Sequence, residues 1–185
     1  MGRRFHKIEI IGSLEPLPDS VILIANHFSW WDGFWVIRLN HYRIFKKFHF
    51  FILKETLEKY KMFNYIGGFS VEKKSKSVLE SIEYAIGLLE DPKNLVMIFP
   101  QGEIQSQYEV NIQFERGIER IIAKGKSSTH IVFVVNLIDY FSESKPSLYI
   151  YSMVFQSEDK SLASVERAYN DFHIKCLEIQ KKKRS

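Results

Sequence analysis

His27 and Asp32 lie five positions apart in the run Asn26-His27-Phe28-Ser29-Trp30-Trp31-Asp32. An imidazole with its ordinary pKa of about 6.5 can take up a proton at neutral pH. A carboxylate on the far ring nitrogen fixes the tautomer and stabilises the imidazolium as it forms. The two residues could therefore act as a general base and its orienting acid. Spacing alone leaves a second reading, in which Asp32 only caps a helix and His27 is a turn residue. Other reactive side chains are weaker candidates. Ser29 and Ser70 lie in no elbow motif of the Gly-x-Ser-x-Gly kind. Cys176 falls on an apolar helical stripe, where a small core residue is expected rather than a thiolate. The histidines show no ligand spacing, so no metal is expected.

A strand must deliver His27 and a helix must begin near Asp32. Ser20–Ala25 is a continuous apolar run, as expected of a strand buried on both faces. Asp32 occupies a favoured N-cap position for a helix over Gly33–His41 that is apolar on almost every side, and so is either deeply buried or touching lipid. Further strands are predicted at Phe5–Ile11, Phe48–Leu53, Phe69–Glu72, Asn94–Phe99, His130–Leu137 and Ser147–Phe155. Helices are predicted at Lys54–Tyr60, after a cap at Ser75 or Ser77, at Glu115–Lys124 and at Ser161–Lys181, the last with its apolar stripe through Leu162, Val165, Ala168, Phe172, Cys176 and Ile179. Gly67-Gly68 suits positive φ or the close approach of a ligand, and Gly117 inside a helix points to tight packing. Ile104–Gln113 reads as a polar loop. Alternating strands and helices give a single α/β domain over residues 1–180, a mixed and mostly parallel sheet flanked by helices, with a basic tail at 181–185.

The charge distribution says more than the net charge of +4. From Arg43 to Lys76 nine basic residues face three acids, and the chain closes on Lys181–Arg184. Such patches attract polyanions. Aromatic residues among them favour a membrane surface, with a solvated face beside core aromatics as the plainer alternative. Phe34, Trp35 and the stretch Arg43–Tyr65 are the candidate membrane contacts. No apolar run approaches the roughly 18 residues needed to cross a bilayer, the first residues lack the apolar core of a signal peptide, and a single cysteine fits a reducing compartment. A cytoplasmic protein, peripheral on the inner face of the membrane, is expected. Nothing beyond charge suggests nucleic acid, so none is expected as a partner.

Four blocks in order resemble the lysophospholipid (glycerolipid) acyltransferase family. The first is Asn26-His27-x4-Asp32. The second is Gly68-Phe69-Ser70-Val71-Glu72-Lys73, close to the family's glycine, apolar pair and acidic–basic pair. The third is Phe99-Pro100-Gln101-Gly102, of the family's Phe-Pro-Glu-Gly type. The fourth is Phe114-Glu115-Arg116-Gly117 with Ile122-Ala123. The resemblance covers roughly Val21–Val135. It implies an acyltransferase-like fold and transfer of an acyl group from a thioester, acyl-CoA or acyl carrier protein, to a hydroxyl of a lipid acceptor. His27 would be the base and Asp32 its orienting partner. Asn26, Gly68, Lys73, Phe99, Pro100, Gln101 and Gly102 would bind substrate, and no cofactor would be held beyond the donor itself. Three departures bear on the acceptor: Gln101 replaces Glu, Glu103-Ile104 replaces Thr-Arg, and Lys73 replaces Arg. Arginine supplies a planar fork for phosphate that lysine does not copy. A neutral or zwitterionic acceptor is therefore expected ahead of lysophosphatidic acid. The competing class is a non-catalytic lipid- or acyl-carrier-binding module of the same fold, which a His27→Ala variant separates from an enzyme. A serine hydrolase would need an elbow serine that the sequence lacks.

Overall fold

All seven predicted strands form: β1 (Lys7–Ile11), β2 (Val21–Ala25), β3 (Lys47–Leu53), β4 (Gly68–Val71), β5 (Asn94–Ile98), β6 (His130–Asp139) and β7 (Ser147–Phe155). In the computed structural model, which describes residues 4–71 and 77–183, they make one sheet in the order β1-β7-β6-β2-β5-β3-β4. Strands β2 to β6 run parallel to one another, β7 is antiparallel to β6, and β1 is parallel to β7. β2 takes the middle and all five of its residues are buried, which is why its sequence lacks alternation.

Helices cover both faces: α1 (Asp32–Leu39), α2 (Lys54–Lys59), α3 (Met62–Tyr65), α4 (Ser77–Leu88), α5 (Gly117–Lys124) and α6 (Leu162–Lys182). Successive side chains of β2 divide between two cores. Ile22 and Ile24 pack with Ile82 and Ala85 of α4, Ile118 and Ile121 of α5, and Val165 and Tyr169 of α6. Val21, Leu23 and Ala25 pack with Trp35, Val36 and Leu39 of α1. The protein is thus a single α/β unit with its parallel strands at the centre.

Some boundaries move for local reasons. The predicted Gly33–His41 helix ends at Leu39 and widens into a π turn over Asn40–Ile44. There Phe45 N–H donates to Asn40 O at 2.7 Å, and the Asn40 amide pairs with both backbone groups of Lys46. α5 starts at Gly117 rather than Glu115, and the Glu115 N–H donates to Pro100 O at 2.9 Å. A Cβ on Gly117 would stand 3.0 Å from Ile82 Cδ1, the tight packing that the glycine foretold. α6 runs through Lys182, so the first residues of the expected basic tail are helical. Its N-cap is Ser161, whose hydroxyl accepts the Ser164 N–H. Ile179 is exposed instead of lying on the apolar stripe, and Tyr169, His173 and Gln180 are buried. Cys176 is buried as expected, and burial pushes its thiol up to about 12. Glu72 and Ser75 lie outside the described residues.

Candidate active site

The strand β2 ends in a turn whose Asn26 and Asp32 side chains are buried. Asn26, buried, donates from Nδ2 to Asn136 O at 2.9 Å and accepts the Asn136 N–H at 2.8 Å. Its side chain thereby extends the β2–β6 pairing past the last ladder pair, Ala25 with Val134. His27 follows, and its backbone is held on both sides. Its N–H donates to Gln101 Oε1 at 2.7 Å, and its carbonyl accepts the Gln105 N–H at 2.9 Å. Gln101 Nε2 donates in turn to Gln105 Oε1 at 3.1 Å. The His27 ring stacks flat on Phe99, centroids 3.9 Å apart and planes 8° from parallel.

His27 Nδ1 lies 2.9 Å from Asp32 Oδ2. The same oxygen accepts the backbone N–H groups of Phe28 and Ser29, each at 2.8 Å. Asp32 is therefore not the forward-facing cap that the sequence suggested. Trp31 holds the N-cap position, without a side-chain cap bond, and the carboxylate turns back to close the His27 turn. Asp32 is fully buried, and burial pushes its carboxyl above the ordinary range against the pull of the His27, Ser29 and Phe28 donors. With Nδ1 engaged, Nε2 is the ring nitrogen left for a substrate.

His27 lines a cavity of about 880 Å³, within the size range of small-molecule sites. The sheet itself makes the opening. β3 pairs with β5 only as far as Phe50 with Met97. Beyond that pair the strands part, and the cavity passes between Phe51–Leu53 on one side and Ile98-Phe99 on the other. Phe34, Ile37 and Phe50 wall it on the α1 face, and Ile82, Ile118 and Ile121 on the opposite face. Ligand sites in open parallel sheets lie at this carboxyl-terminal edge.

The remaining predicted residues divide. Phe99 and Gly102 line the cavity with His27. Gly102 has φ 67°, and a Cβ there would come 3.0 Å from Glu115 Cγ, so the turn requires glycine. Pro100 contributes its carbonyl to Glu115, and Gln101 holds the His27 backbone from behind. Gly68 is not in the cavity wall. A Cβ on it would approach Phe63 O at 2.9 Å and Phe50 Cζ at 3.1 Å, so it allows α3 to pack closely on β4. Its neighbour Gly67 carries the positive φ, 91°. Lys73 lies outside the described residues. Ser29 Oγ accepts the Trp31 N–H at 3.2 Å and is committed to the turn.

Of the candidate membrane contacts, Trp35 is ruled out by burial: it is 2% exposed, under the rings of Phe5 and Phe28. Phe34 is half-buried in the cavity wall. The exposed tryptophans stand earlier, Trp30 at 44% and Trp31 at 41%. Phe45 and Tyr65 of the basic stretch are also exposed, whereas Phe50 and Phe63 are core. No described helix is long and apolar enough to cross a membrane.

Sequence reasoning missed Asn136, Gln105, Tyr169 and Asn170. Tyr169 Oη donates to Val134 O at 3.0 Å beneath the turn, and Asn170 binds the loop that carries Gln105. For Tyr169 and Asn170 the available signal was polar side chains among the apolar positions of α6; Asn136 and Gln105 carried none.

No curated protein matches the chain at a significant level. A family model described as Acyltransferase matches residues 7–137, a segment that begins with β1, ends inside β6 and contains the His27 turn, the Phe99–Gly102 turn and the residues that line the cavity. With that match spanning most of its length, and with a histidine–carboxylate pair opening on an apolar cavity, the chain belongs to the acyltransferase family.

Proposed function

We propose that the protein moves a fatty acyl group from an acyl thioester, acyl-CoA or acyl carrier protein, to a hydroxyl of a lipid acceptor. The observation that carries this reading is the His27–Asp32 contact of 2.9 Å beside an apolar cavity of about 880 Å³. His27 Nε2 takes the acceptor's hydroxyl proton as that oxygen bonds to the thioester carbonyl carbon. Asp32 holds the ring and stabilises the imidazolium. The carbon–sulfur bond then breaks, and the departing thiolate takes the proton back from the imidazolium. No acyl-enzyme intermediate and no bound cofactor are required.

The cavity walls suit hydrocarbon. Glu103 and Glu115 also line it, near Gly102, which supports a neutral or zwitterionic acceptor over lysophosphatidic acid. Acceptors compared side by side test that preference, and clearly fastest acylation of lysophosphatidic acid overturns it. A lipid product calls for a membrane surface. Trp30 and Trp31, with Arg4 stacked 5.3 Å over the Trp31 ring, are the contacts proposed for peripheral attachment on the inner face. Flotation with anionic vesicles should recover the protein and should recover less of a Trp30→Ala/Trp31→Ala variant. Equal recovery of the two contradicts this attachment.

The decisive experiment is mass spectrometry of lipids after incubation with labelled acyl-CoA or acyl carrier protein and a total lipid extract. A labelled ester in one lipid class identifies acceptor and donor together. Label recovered only as unesterified fatty acid or unreacted thioester contradicts the reading.

A further inference from the structure

The geometry points to Asn170 of α6 as a positioning residue for His27, acting through the loop that carries Gln105; this rests on the reading of His27 as the base. α6 lies wholly beyond the segment matched to the family, so nothing in that match assigns it a part in the site.

The segment between β5 and α5 follows an irregular path and is tied down at both ends. Near its start, Gln105 N–H donates to His27 O. At its end, Glu115 N–H donates to Pro100 O. Between these points the backbone N–H groups of Tyr108, Val110 and Asn111 donate to Ser106 and Glu109 of the same loop, shaping it without anchoring it, while the Val110 backbone meets the His173 ring of α6.

Asn170 supplies the anchor. Its Oδ1 accepts the Ile112 N–H at 2.8 Å, and its Nδ2 donates to Ile112 O at 2.9 Å. One amide thus satisfies both backbone groups of a residue that is 1% exposed. A further bond from Nδ2 to Glu166 O, 3.0 Å, fixes which way the amide faces. Beside it, Phe114 packs edge-on to the Tyr169 ring, centroids 5.6 Å apart. Removing the amide leaves two buried backbone groups without partners unless the loop moves outward. Such a movement draws Gln105 away from the His27 carbonyl and tilts the imidazole from its place over Phe99.

The test uses the full chain with Asn170→Leu, which keeps similar bulk without hydrogen bonds, Asn170→Asp, which keeps the acceptor for Ile112 N–H, and His27→Ala as control. Steady-state acyl transfer is measured together with amide hydrogen exchange. Displacement of a reacting group by about an ångström can cost up to about a hundredfold. Asn170→Leu should lower kcat about tenfold or more while donor KM stays within about twofold. Exchange at Gln105 and Ile112 should quicken, and Asn170→Asp should recover part of both effects. A kcat within about twofold of the parent, or unchanged exchange at Gln105, overturns the proposal. Should the leucine variant fail to fold, Asn170→Asp decides alone: slower turnover with faster Gln105 exchange supports it, and parental values of either overturn it. Activity surviving in His27→Ala would sink the acyl-transfer reading instead, and the exchange data would still show whether Asn170 holds the loop.

Discussion

In the turn from Asn26 to Asp32, the side chains of Asn26, His27 and Asp32 each direct polar atoms at named partners 2.8–2.9 Å away. A few ångströms on, the cavity walls of Phe34, Phe50, Ile82 and Ile118 offer a substrate only shape. The turn is held by directional bonds, which lose most of their strength with small displacements. The walls are held by packing, which tolerates exchange of one apolar group for another of similar volume. Substitutions in the turn should therefore strike turnover, and substitutions in the walls should change which chains are accepted.

The largest effect is expected from Asp32→Asn. It removes the charge that would stabilise the imidazolium, and its neutral amide oxygen accepts more weakly than the carboxylate oxygen that now takes the ring and two backbone N–H groups. Turnover should fall about a hundredfold or more, measured with saturating donor. A drop confined to KM would erase the contrast between turn and wall.

Gly33→Leu sharpens the other side. A Cβ on Gly33 would meet Met97 Cε at an ordinary 3.8 Å, and the rest of the leucine would extend into the cavity it lines. The longest acyl chains should lose about tenfold in kcat/KM, with the shortest changed by about twofold or less. Uniform loss across chain lengths would mean that this wall does not select by shape.

Gln101→Glu tests whether this turn is tuned to its own glutamine. The His27 N–H keeps its acceptor, but the amide that donates to Gln105 Oε1 becomes a second acceptor facing it. A severalfold loss of turnover is expected, although the change restores the residue usual in the resembled family. Equal or better turnover would show that the Gln101–Gln105 bond is dispensable.

The smallest effect is on stability. Burial raises the Asp32 carboxyl above its ordinary range, so the folded chain binds that proton more tightly than the unfolded one. The resulting stability is fully present below the unfolded pKa of about 3.9 and declines as pH rises from there through the raised folded value. The amide introduced by Asp32→Asn cannot ionise, so the stability difference between parent and variant should shift against the parent as pH rises through that window. Thermal midpoints of both, taken across it, check the sign.

Much of this arrangement was legible in the sequence. Val21–Ala25 announced a buried strand by its lack of alternation, and Gly117 announced tight packing, though not its partner Ile82 on α4. The His27–Asp32 spacing gave the pair, but not the direction of the carboxylate, because a helix cap and a turn acceptor leave the same signature before a helix. The burial of Trp35 could not be read from spacing, since α1 is apolar on nearly every side. The partners of Asn26 and Ile112 lie 110 and 58 positions away, and only folding joins them.

The most direct measurement is the initial rate of labelled acyl transfer to lipid by His27→Ala beside the parent, with lipid binding measured on both. The account predicts a loss of about 10²–10⁴-fold in turnover with binding retained. A variant that keeps more than about a tenth of parental turnover would contradict it, because losing a general base should slow the reaction by more than that.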